Sequence, residues 1–298
     1  TERYKMITIF TPSYNRADLL PRLYKSLCEQ TCKDFEWLIV DDGSKDNTKE
    51  VVELWLNNKD FPIYYYQKNN GGKHTAINMG VELAKGELFF IADSDDFLPP
   101  NAIAIVMDVW NGLKSYSTVR TMNEFGGVCG LDGYEDGRII GSGLPKDIID
   151  ISYTQIRDRY SVTGDMKEVY VTSVMKEFPF PEIDGERFCS EALIWNRIAK
   201  KYKLRFFNKV IYIAEYQEGG ITAGITKARM KSPIATMMTY SEWFCMNISL
   251  KQKVKMAINY WRFAFCTKTR SVKIASWGNL LAPIGWLLFM NDKYHTGL

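Results

Sequence analysis

Four times in its first 115 residues this chain passes from a short apolar run through a polar cluster into a segment of helical period. The runs are residues 5–13 (KMITIFTPS), 35–40 (FEWLIV), 63–66 (IYYY) and 87–92 (ELFFIA); they read as strands, and 35–40 has the continuous apolar character of a buried parallel strand. The intervening segments carry apolar residues at helical spacing: Leu20, Leu23 and Leu27, with Asp18 near the start; Val51, Val52 and Trp55; then Ile77, Val81 and Ala84. A fourth helix opens after Pro99-Pro100. Such alternation predicts an α/β fold, a mostly parallel central sheet with helices on both faces. Open α/β sheets bind ligands at the carboxyl ends of their strands. Thr11–Asn15, Asp41–Ser44, Asn69–Lys73 and Asp93–Asp96 all fall there, so they are expected to converge on one crevice.

Residues 125–225 are mixed. Gly126–Leu131 and Arg138–Gly141 read as strands around a turn, Glu191–Lys201 as a helix and Phe206–Tyr216 as another strand. From about residue 227 the composition turns basic and aromatic. Residues 227–298 carry 11 Lys/Arg against Glu242 and Asp292, whereas the first 226 residues carry 27 basic and 33 acidic groups. A mildly acidic body joined to a strongly basic tail points to an anionic surface as partner. We therefore divide the chain into an α/β body, 1–226, with halves at 1–115 and 116–226, and a helical extension, 227–298. Six scattered Cys without a CxxC pair suit free thiols in a reducing compartment. Two His leave no basis for a zinc cluster. No leader is expected in TERYKMITIF, and Leu280–Met290 is far short of the roughly 20 residues of a membrane span.

Each polar cluster has two readings. Asp93-Ser94-Asp95-Asp96 places three carboxylates within four residues; they repel unless a hard divalent cation joins them, or they form a solvated, helix-capping turn. Asp41-Asp42-Gly43-Ser44 offers an acceptor for a base N–H or ribose hydroxyls, or makes a plain β-turn. Thr11-Pro12-Ser13-Tyr14-Asn15 offers an aromatic face for a base, or a helix cap. Asn70-Gly71-Gly72-Lys73 combines backbone freedom with a cation, which suits a phosphate, or is a turn with a surface lysine.

Together, TPSYNR at 11–16, DDGS at 41–44, NGGKHTAINMG at 70–80 and ADSDD at 92–96 resemble the family-2 glycosyltransferases of the GT-A fold, of the type that builds bacterial polysaccharides and cell-surface glycans. The resemblance is close over residues 6 to about 105 and looser to about 220. It implies that 1–226 is a catalytic domain with a nucleotide-binding half (1–115) and an acceptor half (116–226), and that it holds a cleft for a nucleotide-sugar donor, most often a UDP-sugar. Pro12, Tyr14 and Asp42 would hold the nucleoside, Asp41 would support the strand end, and Lys73 would lie near the base or phosphates. Asn15 and Ser94 belong to the same donor-binding set. Asp93 and Asp95 match the DxD element that holds a divalent metal, Mn or Mg, against the diphosphate. The family's base, an acid just before a helix carrying Trp and Arg, maps onto Glu191, ahead of Trp195 and Arg197. Here Ser190 stands where the family has a first acid and Glu191 where it has Asp, so Glu186, Asp184 and Asp165 remain rival bases. An alternative assigns Glu191 to the helix dipole. Asp165 and Glu168 are placed in the sugar or acceptor pocket, Glu215–Gly220 in a closing loop, and His74 in no role.

In the tail, Val254, Ile258, Trp261 and Phe265 at helical spacing amid lysines and arginines describe an amphipathic helix for a bilayer interface, with Leu280–Met290 dipping into the same zone. The other reading packs both segments on the body of the protein. The first leads us to expect a lipid-linked saccharide acceptor and a cytoplasmic, peripheral enzyme at the inner face of the plasma membrane. Other classes lack their signatures. There is no GxGxxG, Gly72-Lys73-His74 does not complete a P-loop, and TPSYNR replaces the glycine-rich loop of a sugar nucleotidyltransferase. A nucleic-acid partner is not expected, since the basic tail has no recognised binding module. A non-catalytic nucleotide-sugar-binding scaffold is the remaining alternative.

Overall fold

The computed structural model describes residues 6–215, 224–269 and 271–297. Eight strands form the sheet: β1 (Ile7–Ser13), β2 (Phe35–Asp41), β3 (Ile63–Gln67), β4 (Leu88–Ile91), β5 (Phe125–Gly133), β6 (Ile148–Ile151), β7 (Met166–Val171) and β8 (Lys203–Ile213). Their order is β3-β2-β1-β4-β7-β5-β8-β6. The first four are parallel. β7 returns antiparallel between β4 and β5, β8 runs parallel to β5, and β6 closes the far side antiparallel to β8. The helices are α1 (Leu20–Cys28), α2 (Thr48–Glu53), α3 (Lys73–Leu83), α4 (Ala102–Tyr116), α5 (Val119–Met122), α6 (Tyr153–Tyr160), α7 (Thr172–Glu177), α8 (Glu191–Ala199), α9 (Ile225–Lys231), α10 (Pro233–Phe244), α11 (Leu250–Ala264) and α12 (Ala282–Thr296), with a 3₁₀ turn over Ser276–Leu281.

The unbroken apolar runs become strands because both sides of the sheet are covered. Every residue of β1 and β2 is buried. Ile7, Ile9, Phe35, Trp37, Leu88 and Phe90 share one core with Leu20, Leu23 and Leu27 of α1 and Ile103, Val106 and Trp110 of α4. On the other face Phe10 meets α3, where Gly80 leaves no room for a side chain: a Cβ there would lie 2.1 Å from the Phe10 ring. Part of the aromatic surplus is spent inside, in the stack Tyr24–Trp55–Trp37 and the pairs Phe10–Phe89 and Phe35–Phe61. Buried Glu36 accepts from Thr8 Oγ1 at 2.6 Å and from Lys85 N at 2.8 Å.

The chain divides into two compact units. The first comprises Thr1–Asn70, Ala76–Pro179 and Ile198–Tyr216 and contains the sheet; the second comprises Gly71–Thr75, Phe180–Arg197 and Gln217–Leu298. The second has its own core of Met230, Met237, Tyr240, Phe244, Met256, Ala257, Tyr260, Phe263 and Ala264.

Two expectations change. Arg138–Gly141 is not a strand; Ile139 makes an isolated bridge to Gly133, after a turn in which Gly137 takes φ +85°. In α11, Met256, Ala257, Tyr260, Phe263 and Ala264 belong to this second core, Val254, Ile258, Trp261 and Phe265 are half-buried, and Trp261 donates through Nε1 to Gly278 O at 3.1 Å. The strand expected to reach Tyr216 ends at Ile213, and Tyr216–Gly220 of the supposed closing loop lie outside the described residues.

Candidate active site

The strand register brings the polar clusters of the first unit to one edge. Ser13 pairs with Asp41, and Asp41 with Gln67. β4 pairs with β1 through Phe10 and Ile91, so Asp93 begins two residues past that edge. β1 lies between β2 and β4, which sets Asp42 and the Asp93–Asp96 turn on either side of Ser13. The antiparallel return adds the start of β7, and the parallel pair β5 and β8 adds Asp132 opposite Tyr212.

Asp41 is fully buried and braces its strand end. Oδ2 accepts from Tyr65 OH at 2.6 Å and Gln67 Nε2 at 3.2 Å, and Oδ1 from Ser44 N at 2.8 Å. Burial, then the Asp41 charge, pushes the Tyr65 phenol upward. Asp42, also buried, accepts from Lys68 Nζ at 2.8 Å and Asn70 Nδ2 at 3.1 Å. Gly43 makes this turn with φ +80°; a Cβ there would meet Asn70 N at 3.0 Å. Asn15 adopts a left-handed conformation, φ 53°, in which its Oδ1 accepts from Lys45 N at 2.7 Å while its own N donates to Ser44 Oγ at 2.8 Å. It thereby ties the loop after β1 to the loop after β2. Pro12 and Ser94 are buried, and Tyr14 is 45% exposed. Ser13 Oγ is buried without a hydrogen-bond partner among the described residues.

Asp93 and Asp95 are half-buried. Asp93 N donates to Tyr212 OH at 2.7 Å, and Lys167 Nζ lies 3.6 Å over the Tyr212 ring. Asp96 accepts from Glu215 N at 2.8 Å; burial, then Asp93, raises its carboxyl to about 6. The Glu215 carboxylate pairs with Arg22. Asp132 was absent from the expected set. It is buried, its Oδ1 has no hydrogen-bond partner among the described residues, and burial above all raises it to about 7; Lys167 pulls the other way, and Asp165, Asp96 and Asp93 add to the rise. Its signal was available, because β5 is an apolar run ending in Asp, as β2 is. Burial is the main cause of both rises and neighbouring carboxylates add to them; a hard cation would relieve that second part. Asp93 and Asp95 fit as oxygen donors for magnesium or manganese. Among the described residues no group of three or more His, Cys, Asp or Glu forms a ready-made cage, so the remaining coordination positions would fall to diphosphate and water.

Lys73 and Glu191 belong to the second unit, and the structure pairs them directly: Nζ lies 2.8 Å from Oε1. Each is the first residue of its helix, α3 and α8. Gly72 precedes Lys73 with φ +99°, and a Cβ there would lie 2.1 Å from Arg187 O, so the loop needs glycine. His74 is buried, its ring 6.4 Å from Phe180. Of the rival bases, Glu186 is engaged as the cap of α10, accepting from Ile234 N at 2.7 Å and Ala235 N at 2.9 Å. Asp184 and Asp165 are exposed. Arg197 is held by Glu242 in a two-pronged pair, and Glu168 pairs across strands with Cys129.

Residues 8–127 match the model of glycosyl transferase family 2. They form a family-2 glycosyltransferase domain. The glycosyltransferase GlyG of Streptococcus pneumoniae serotype 4 is 26% identical to the chain over 230 residues, 73% of each protein. Chondroitin synthase of Pasteurella multocida is 35% identical over 142 residues, 47% of this chain but only 14% of that much longer enzyme. The chain also shares its fold with S. aureus TarS 1–349, with a TM-score of 0.62 at 16% identity, covering 98% of this chain and 92% of TarS 1–349. The mannosyltransferase PcManGT of Pyrobaculum calidifontis, in complex with GDP-Man and Mn2+, superposes with a TM-score of 0.56 at 17% identity over 99% of this chain and 83% of its own.

Proposed function

We propose that this chain transfers a sugar from a nucleotide-sugar donor, a UDP-sugar, to a lipid-linked saccharide with inversion, in surface glycan synthesis at the inner face of the plasma membrane. The observation that carries the reading is the shared edge that sets Asp42, Asp93 and Asp95 around the end of β1. Two likenesses support the substrates. TarS is also known with UDP-GlcNAc. The GalNAc(5)-diNAcBac-PP-undecaprenol beta-1,3-glucosyltransferase of Campylobacter jejuni is 28% identical over 228 residues, 74% of this chain and 68% of that enzyme.

In this reading residues 1–226 are the catalytic part and 227–298 a membrane-meeting extension. Tyr14 and Pro12 pack on the base, Asp42 accepts from it or from the ribose, and Asn15 and Asp41 hold the two loops that frame it. Ser94, Lys73 and the Asp93–Asp95 pair face the phosphates. Asp93 and Asp95 would hold a divalent ion, which would supply positive charge against the diphosphate. Glu191 takes the proton of the acceptor hydroxyl as its oxygen bonds to the anomeric carbon. The bond from that carbon to the diphosphate breaks on the opposite face, and the electron pair leaves with the nucleotide. The Lys73 contact fixes where the Glu191 carboxylate points.

The test is donor turnover and UDP-sugar thermal shift, with and without manganese, for wild type and Asp95→Ala. The variant is expected to keep its circular-dichroism spectrum and lose turnover by about a hundredfold or more. Full turnover in Asp95→Ala, or retained anomeric configuration in the product, would sink this reading.

A further inference from the structure

Helix α12 has the polarity of a surface helix reversed. Its inward side is Gly285, Phe289, Asp292 and Thr296. Gly285 is buried so closely that a Cβ would lie 2.4 Å from that of Trp261. Asp292, also buried, accepts from both arms of Arg262, with Nη2 at 2.6 Å, and Thr296 Oγ1 donates to Asp292 O at 2.8 Å. The opposite side presents Pro283, Leu287, Met290 and Tyr294 at helical spacing, flanked by Ile284 and Trp286, all exposed. Leu287 is 61% and Tyr294 85% exposed, and Leu280, in the turn before the helix, is 79% exposed. An apolar groove of about 510 Å³, lined by Phe265, Ala282, Pro283, Trp286 and Leu287, opens here. A contiguous exposed apolar surface marks something that covers it.

Charge identifies the cover. Residues 224–297 contain two acids, Glu242 and Asp292, and both are consumed in ion pairs with Arg197 and Arg262. Lys251, Lys255, Lys268, Lys273 and Lys293 are exposed. Lys253 Nζ lies 6.0 Å over the Phe244 ring, which lies 4.6 Å from exposed Trp277, so a cation stands beside the patch. The occupant must offer hydrocarbon and negative charge on one surface, as an anionic bilayer does. Trp277, Trp286 and Tyr294 are the side chains that prefer its headgroup level. No helix among the described residues is long and apolar enough to cross a membrane. At 15 residues α12 is about 22 Å long, suited to lie within one leaflet.

We propose that the outer face of α12, with the Ser276–Leu281 turn, beds into one leaflet of an anionic membrane, with exposed lysines of the second unit against the headgroups. This rests on the reading of an enzyme that meets its acceptor at a membrane, and it narrows the expected contact to α12 and the turn before it. The experiment is flotation of the full chain with phosphatidylcholine vesicles, with and without phosphatidylglycerol. Wild type is expected to float with the anionic vesicles, and Leu287→Glu with Met290→Glu to lose that binding about tenfold or more. Lys251→Glu with Lys255→Glu is expected to weaken it on anionic vesicles. A UDP thermal shift on the same samples reports the nucleotide site separately: flotation without the shift would fail the catalytic reading and leave this one standing. Equal flotation of wild type and the Leu287/Met290 variant would overturn the proposal. So would a wild type that stays in solution, or one that self-associates through this face instead.

Discussion

The carboxyl edge of the sheet and helix α12 dispose polar and apolar groups in opposite ways. At the edge, apolar side chains of β1 and β2 lie inside, and the carboxylates at their ends are spread over neighbouring loops by hydrogen bonds from Tyr65, Gln67, Ser44, Lys68 and Asn70. In α12 an ion pair lies inside and the leucines lie outside. The edge is built to hold a polar ligand over a dry core, and α12 to be held by a polar clasp beneath a greasy surface. Inward and outward are thus set by what each side chain finds to pair with, and hydrophobicity alone does not assign them.

The contrast breaks most readily in the sheet core. Trp37 is fully buried and donates to Thr11 Oγ1 at 2.9 Å, so Trp37→Ala is expected to cost about 4 kcal/mol in chemical denaturation. In the second unit Arg262→Ala leaves the buried Asp292 carboxylate uncompensated and is expected to cost about 3 kcal/mol, far more than an ordinary surface arginine. Asp132→Asn works in the other direction. With its carboxyl raised to about 7 in the fold, ionisation opposes folding once pH exceeds the unfolded value. Wild-type stability is therefore lost as pH rises from about 4 to about 7. In metal-free protein the variant should be more stable by on the order of 2 kcal/mol at pH 8 and indistinguishable near pH 4, by thermal melts across pH. Smallest is Leu287→Ser, expected to change stability by less than about 0.5 kcal/mol in the vesicle-free protein; a large loss would mean that α12 carries the core on the wrong side here.

The four β-α units were legible because each strand is covered on both sides and each ends in a polar cluster; Ile63–Gln67 and Leu88–Ile91 fall almost where the apolar runs do. β6 and β7 were not. Their polar residues, as in MKEVYV, give no unbroken run, and their place depends on pairing with strands far away in the chain. Asp132 was missed for the same reason, since LDGYEDG reads locally as a turn, and only the register of β5, β7 and β8 brings it beside Lys167 and the Asp93 turn. The pairing of Lys73 with Glu191 joins residues 118 positions apart and has no local signal. In α11 the periodicity was visible, but which neighbour would receive it was not: α12 itself, through Gly285 and Phe289, takes up the surface of Trp261 and Phe265.

The Arg262–Asp292 pair has a consequence for how the helix would respond to its surroundings. Attraction between opposite charges grows as the medium around them becomes less polarisable. A helix pinned by such a pair needs no repacking when water beside it gives way to hydrocarbon; the pin tightens, and amide hydrogens along α12 should exchange more slowly on vesicles than in buffer.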